Sequence, residues 1–171
     1  MSTAISNGKL RTCGVLCILL MSAAIGVTQS HTDYQVPAGM LLRIELRTPL
    51  ASDTSQPQEQ IRGVLKSAIS VDGVELVPAG AVVLGTVTDA DPAASKGDQS
   101  KLAFRFHVLE HPQTGSRVPI KTEIRTFAVD AGKKKKGAEG TAAFNQVRLE
   151  AGSDVSSPLR APFVVRIPNA K

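Results

Sequence analysis

The sequence contains no tryptophan and only two cysteines in 171 residues. Both cysteines, Cys13 and Cys17, lie among the first 30 residues, so the rest of the chain has no thiol. This absence excludes a disulfide scaffold, a thiol nucleophile and a cysteine-ligated metal site from the main part of the protein. At about 140 residues, that part is long enough to bury a hydrophobic core without such cross-links.

The N-terminal segment lacks acidic side chains, because no acidic residue precedes Asp33. Instead, Lys9 and Arg11 precede a short apolar run over residues 13–27. A positively charged start followed by a short apolar segment is typical of a secretory signal peptide. We therefore predict a signal helix within residues 1–30 and an exported protein, located in the bacterial periplasm or outside the cell.

The alternative for this segment is a retained membrane anchor. Its apolar run of about 15 residues would rise about 22 Å as a helix, which is short of the roughly 30 Å hydrocarbon core. Small residues allow cleavage after Gly26 or after Ser30. Neither cysteine follows the apolar run, as a lipid anchor would require. Cleavage is therefore the favoured outcome.

Excess positive charge is confined to one place in the remaining chain. Removal of the leader lowers the formal net charge from +5 to +3, and the run of four lysines accounts for all of that excess. Composition therefore predicts no nucleic-acid-binding surface. The run is a candidate contact for an anionic partner, although a solvated loop is the favoured interpretation. Its members are Lys133, Lys134, Lys135 and Lys136. We expect membrane contact only through this loop or the leader.

Apolar and polar residues alternate with a period of two in much of the chain, which indicates half-buried antiparallel strands. The run Ala81–Val87 is apolar on both faces and predicts a central strand, with a bulge or close backbone approach at Gly85. Together these patterns predict one all-β domain over residues 31–171, a small antiparallel barrel or sandwich of about seven to nine strands. The alternating runs are Leu42–Leu46, Leu102–Val108, Val118–Ile124 and Phe163–Ile167; residues 61–69 also favour a strand.

Turn signals separate these strands. Asp72-Gly73 predicts a type I′ hairpin, and His111–Gly115 predicts a second hairpin loop. Residues 89–100 are predicted as a polar loop, and residues 130–141 as a mobile Gly/Lys-rich loop. A Val-Pro-Ala-Gly tetrapeptide that suits a tight turn before a strand occurs twice, at Val36–Gly39 and Val77–Gly80.

One motif suggests metal chemistry. His107, Glu110 and His111 match H-x-x-E-H, a zinc-hydrolase motif that works on a helix. Here the residues end an alternating run just before Pro112, so the alternation predicts a strand, with both histidines on one face and Glu110 on the other. Two surface histidines are the favoured interpretation. Residues Ser52–Ser55 offer hydroxyls and a carboxylate but no nearby base, and we interpret them as a turn.

The order of turns and strands over residues 36–125 resembles the C-terminal β-barrel domain of the TrbI-like family, the scaffold subunits of conjugation and type IV secretion machines. It is also similar to the small exported relatives of that domain. Gln58 stands where the resemblance implies a glycine. The segments that carry the resemblance are Val36–Gly39, Leu42–Leu46, Thr48–Asp53, Val64–Ile69, Asp72-Gly73, Val77–Val87, Leu102–Phe106 and Pro112–Ile120.

The resemblance implies a β-barrel without enzyme activity that takes part in envelope assembly through protein contacts. We therefore expect no cofactor, and an envelope protein or a second copy of the chain as the partner, held by exposed strand edges. The first alternative is a periplasmic domain that binds a small ligand or a cell-wall polymer. A zinc hydrolase acting through His107, Glu110 and His111 is a distant third.

Overall fold

In a computed structural model, residues 31–133 and 144–168 can be described. These ranges form strands and no helix, which confirms the predicted all-β class. The predicted leader at residues 1–30, Lys134–Lys136 and most of the 130–141 loop lie outside them. None of the residues described belongs to a helix long and apolar enough to cross a membrane.

Thirteen strands occur in the described ranges, more than the predicted seven to nine, because five of them have only two to four residues. In chain order they are β1 His31–Val36, β2 Leu41–Leu46, β3 Leu50–Ala51, β4 Gln60–Leu65, β5 Ile69–Val71, β6 Val74–Val77, β7 Val82–Asp91, β8 Gln99–Glu110, β9 Arg117–Pro119, β10 Arg125–Asp130, β11 Arg148–Leu149, β12 Asp154–Pro158 and β13 Phe163–Pro168.

Seven strands form the main sheet, in which every neighbouring pair is antiparallel. Six follow the order β10-β8-β7-β4-β2-β12, and β9 pairs with the end of β8 that β10 leaves free. The other strands form three two-stranded sheets, β1–β13, β3–β11 and β5–β6. The first and last strands of the described chain are therefore partners, with His31 opposite Pro168.

The segment after β9 joins the two sides of the main sheet. Ile120 donates its N–H to the His107 carbonyl of β8 at 3.0 Å, whereas Glu123 donates to the Pro158 carbonyl of β12 at 2.9 Å. Between them, the buried Thr122 bridges to Leu159, and its hydroxyl accepts a hydrogen bond from the Phe106 N–H at 2.9 Å. The sheet therefore curves, and its β8 and β12 sides meet at Thr122.

The inner face of this sheet forms the core. On β2 the predicted alternation is confirmed, because Leu42, Ile44 and Leu46 are buried while Glu45 on the outer face pairs with Arg47 at 3.0 Å. Strands β4, β7 and β8 also contribute to the core, and Phe127 of β10 packs against it and stacks on Phe104. The largest side chains that these three strands bury are Ile61, Leu65, Leu102, Phe104, Phe106 and Leu109.

Two glycines on neighbouring strands allow close packing in that core. A Cβ atom on Gly85 of β7 would overlap the carbonyl oxygen of Arg105 and lie 2.9 Å from the Phe106 ring. A Cβ atom on Gly63 of β4 would overlap Ile44. The β7–β8 register also shifts next to Gly85. Both features predicted for Gly85, the bulge and the close approach, are therefore present.

The same register shift corrects the expected face of one side chain. Phe106 pairs with Gly85 and Val108 pairs with Leu84, so His107 is an extra residue on β8. An extra residue reverses the alternation beyond it. As a result Leu109 is buried and Val108 is only half-buried, whereas the sequence predicted Val108 on the inner face.

The predicted strand Val118–Ile124 is also wrong in part. Pro119 ends β9, because proline has no N–H for the ladder, and only single hydrogen bonds continue towards Thr122. Ile124 is exposed, and a new strand, β10, begins at Arg125. The predicted polar loop is shorter than residues 89–100, since β7 extends to Asp91 and β8 begins at Gln99.

The predicted turns are confirmed. Asp72 and Gly73 have φ values of 52° and 79°, as a type I′ turn requires, and they join β5 to β6. The two Val-Pro-Ala-Gly turns have the same geometry, with φ of 84° at Gly39 and 87° at Gly80. The strands that follow these turns, β2 and β7, pair with opposite sides of β4. The repeated turn therefore introduces two strands that flank the same partner.

Candidate functional site

A groove of about 730 Å³ runs along β13 at the side of the molecule. It is bounded by β13, by β9 and the loop before it, and by the end of β6. These segments are distant in the sequence. Each contains a strand that has one pairing partner: β13 pairs with β1, β9 with β8, and β6 with β5. The groove therefore lies between three strand pairs, β1–β13, β8–β9 and β5–β6.

The backbone edge of β13 faces this groove. Four consecutive residues, Val164 to Ile167, line it, although successive side chains of a strand point to opposite faces. A groove that contacts both sets of side chains follows the edge of the strand. One edge of β13 pairs with β1, and no other strand in the described ranges pairs with β13. Its outer edge makes no ladder hydrogen bond with a described strand, although β9 approaches part of it to within 8 Å between Cα atoms.

The floor of the groove is apolar and its rim is charged. Val77, Leu109 and Val165 form the floor and are almost completely buried. At the rim, Arg166 pairs with Asp33 at 3.1 Å. This pair is largely exposed, so it contributes little to stability and can exchange partners at low cost.

Two further charged side chains at the rim differ in their pairing. Arg117 donates to Glu110 at 3.1 Å. Glu75 also lines the groove and is exposed, and it makes no ion pair with any residue in the described ranges. Glu75 is therefore the groove carboxylate that has no ion-pair partner among the described residues.

The three residues of the candidate metal motif do not converge. His107 is exposed at the bulge, Glu110 pairs with Arg117, and the Nδ1 atom of His111 accepts the Gln113 N–H at 3.3 Å. His111 lines the groove, whereas His107 lies outside it. The predicted common face of the two histidines is wrong, because the bulge reverses the alternation between them. Among the residues described, no three histidine or acidic side chains are grouped so as to hold a metal ion.

The lysine run is described only at its first member. Lys133 is exposed, and Lys134, Lys135 and Lys136 lie outside the described residues. Their contact with an anionic partner stays a prediction.

Residues Ser52–Ser55 form the predicted turn, in which the Ser55 hydroxyl accepts the Ala51 N–H at 3.2 Å. Ser52 has an additional role, because its buried hydroxyl donates to Gln146 Oε1 at 3.0 Å. The same Gln146 amide accepts the Ala93 N–H at 3.1 Å and donates to the Ala93 carbonyl at 3.0 Å. This serine therefore helps to hold two distant loops together.

Neither models of known protein families nor curated proteins match this sequence. Function is therefore inferred from the groove and from the sequence.

Sequence reasoning missed the groove. The alternation at Phe163–Ile167 predicts a strand, but it does not show that the partner is β1, more than a hundred residues earlier. Nor does it show that β6 and β9 end beside the opposite edge. One signal was available: Pro162 and Pro168 enclose β13, and prolines at both ends of a strand suit an edge position.

Proposed function

We propose that this chain is an exported, non-enzymatic β-barrel module of the bacterial cell envelope that acts by binding another protein. The observation that carries the proposal is the groove along the outer edge of β13. Unpaired strand edges are surfaces at which a second chain adds main-chain hydrogen bonds. An apolar floor within a charged rim is the usual arrangement of a protein–protein contact.

Two features support a barrel of the TrbI-like kind. The main sheet curves until its two sides meet at Thr122, which is what closure of a small barrel requires. Gln58 has a φ of 71°, a left-handed conformation that favours glycine, at the position where the resemblance implies that residue. The export of the module is supported by the basic and then apolar leader, and by the absence of cysteine after it.

A photo-crosslinking experiment tests the protein-binding role. The full chain is produced in the organism that encodes it, with a photoreactive amino acid at Val164 in the groove. The matched control carries it at Val129 on β10, because the two valines are similarly exposed, at 48% and 42%. We expect a covalent adduct with an envelope protein from position 164 and not from position 129. Equal adducts from both positions, or none from 164, would count against a groove-bound protein.

A second candidate function is the binding of a small ligand or a cell-wall polymer. It is favoured by the size of the groove, because about 730 Å³ falls within the roughly 300–1,000 Å³ of small-molecule sites. Native mass spectrometry of the protein purified from its own envelope separates the two candidates. A bound small molecule or glycan fragment that Val164→Trp displaces would favour the ligand, whereas a protein adduct at position 164 favours the protein partner.

A further inference from the structure

We infer that the groove holds an extended segment of the partner protein, which adds a strand to the outer edge of β13 and places a lysine or arginine beside Glu75. This inference rests on the proposed function, because it names the binding mode and the chemistry of the partner. It concerns a different protein rather than a second copy of this chain.

The backbone of β13 defines the length of the added strand. Proline lacks an N–H, so Pro162 and Pro168 limit regular pairing to the five residues Phe163–Ile167. Those residues span roughly 17 Å at about 3.3 Å per residue. The partner segment is therefore a short extended stretch, which matches the way in which strand addition recognises peptides.

The floor of the groove defines the apolar positions of that segment. In a strand beside β13, every second side chain points to the same face as Val165 and contacts Leu109 and Val77. The intervening side chains point outward, towards Val164, whose side chain is already half exposed. The partner is thus an alternating sequence with small or medium apolar residues at every second position.

The charges at the groove define the polar preference. Arg166 and Arg117 are already neutralised by Asp33 and Glu110, whereas Glu75 has no ion pair with a described residue. A basic side chain is therefore the complement that adds attraction without displacing an existing pair. An acidic side chain at that position would be repelled by Glu75.

Peptide selection tests this binding mode. Random twelve-residue peptides displayed on phage are selected on the immobilised protein purified from its own organism, and the affinities of the selected peptides are measured by fluorescence anisotropy. We expect alternating apolar sequences that contain a lysine or arginine. Glu75→Lys should weaken their binding by about five- to tenfold, because attraction becomes repulsion. Glu150→Lys, which changes an exposed carboxylate outside the groove, should leave binding unchanged.

A second measurement tests the strand pairing itself. Methylation of alternate backbone nitrogens in the best peptide removes its donors and should reduce affinity by about tenfold or more in one of the two alternating patterns. Hydrogen exchange of the β13 amides should slow when the unmodified peptide is bound. Circular dichroism and thermal unfolding of each variant show whether it is folded.

Four outcomes would overturn the inference: no selected peptide, binding insensitive to both methylation patterns, no effect of Glu75→Lys, or a dimer that pairs through β13 and excludes peptides. If Val164 still crosslinks to an envelope protein in any of these cases, the protein-binding function stands and only the strand-addition mode falls. If the crosslink is absent as well, both fall.

Discussion

At the scale of single residues, backbone geometry rather than side-chain chemistry explains the unusual positions of this protein. Gly85 is required by the close approach of the Arg105 carbonyl and the Phe106 ring, and Gly63 by that of Ile44. Asp72-Gly73 is required by a turn with positive φ. The sequence predicted the Asp72-Gly73 turn and the close approach at Gly85, but not the one at Gly63. It could not predict that one aromatic ring lies against two glycines on neighbouring strands, because that depends on the β4–β7–β8 register.

Gly85→Ala should lower the free energy of unfolding by about 2–3 kcal/mol, because the new methyl group overlaps backbone and a buried ring that cannot move freely. The control is Gly39→Ala, where the space is open and only the positive φ opposes the change, at a cost of about 1 kcal/mol. Urea unfolding measures both. Equal losses would show that Phe106 does not depend on the space at Gly85.

Gln58→Gly should raise the free energy of unfolding by about 0.5–1 kcal/mol. The left-handed backbone at this position is strained for a residue with a Cβ atom, and glycine removes that strain. Gln60→Gly provides the control, because Gln60 lies in β4 and glycine weakens a strand. Thermal unfolding of the three proteins should therefore place the wild type between the two variants. A loss of stability in both variants would contradict a left-handed Gln58.

At the scale of the elements, alternation predicted the strands that run straight and failed where the backbone departs from regular pairing. On β2 every predicted inner residue is buried. On β8 the extra residue His107 reverses the pattern after Phe106, and no local signal in the sequence marks that position. A bulge depends on how a strand pairs with its partner. The alternation of residues within one strand therefore does not indicate where a bulge lies.

Deletion of His107 should leave the protein folded and lower the free energy of unfolding by only about 1–2 kcal/mol, because Val108 would then follow Phe106 directly and Leu109 would keep its inward position opposite Val83. His107→Ala should change the free energy of unfolding by less than about 0.5 kcal/mol, since the side chain is exposed. Circular dichroism and urea unfolding of the pair isolate the role of the extra residue. An unfolded deletion variant would mean that the β7–β8 pairing depends on the bulge itself.

At the scale of the whole molecule, the sequence predicted the fold class but not the site. The all-β class follows from alternation and turn chemistry, both of which act over a few residues. The groove depends on how β1 meets β13 and on where β6 and β9 end, which is a matter of topology. Its lining residues therefore look, in the sequence, like parts of five unrelated strands and a loop.

Under the proposed export, the protein isolated from the envelope of its own organism should begin at Val27 or His31, because the leader offers cleavage after Gly26 or Ser30. N-terminal sequencing or intact-mass measurement identifies the first residue. Substitution of the apolar run with charged residues should keep the full chain inside the cell. Retention of Met1 on the envelope protein would instead identify the leader as an anchor.

The pairing of β1 with β13 has a consequence for the order in which the molecule can be completed. Synthesis proceeds from the N-terminus, so β1 is the first of these strands to be made, yet its partner is the last. The two-stranded ribbon cannot form until β13 has been made, more than a hundred residues after β1, and closing so long a loop is slow. The groove, one wall of which is β13, is therefore among the last parts of the described fold to be completed.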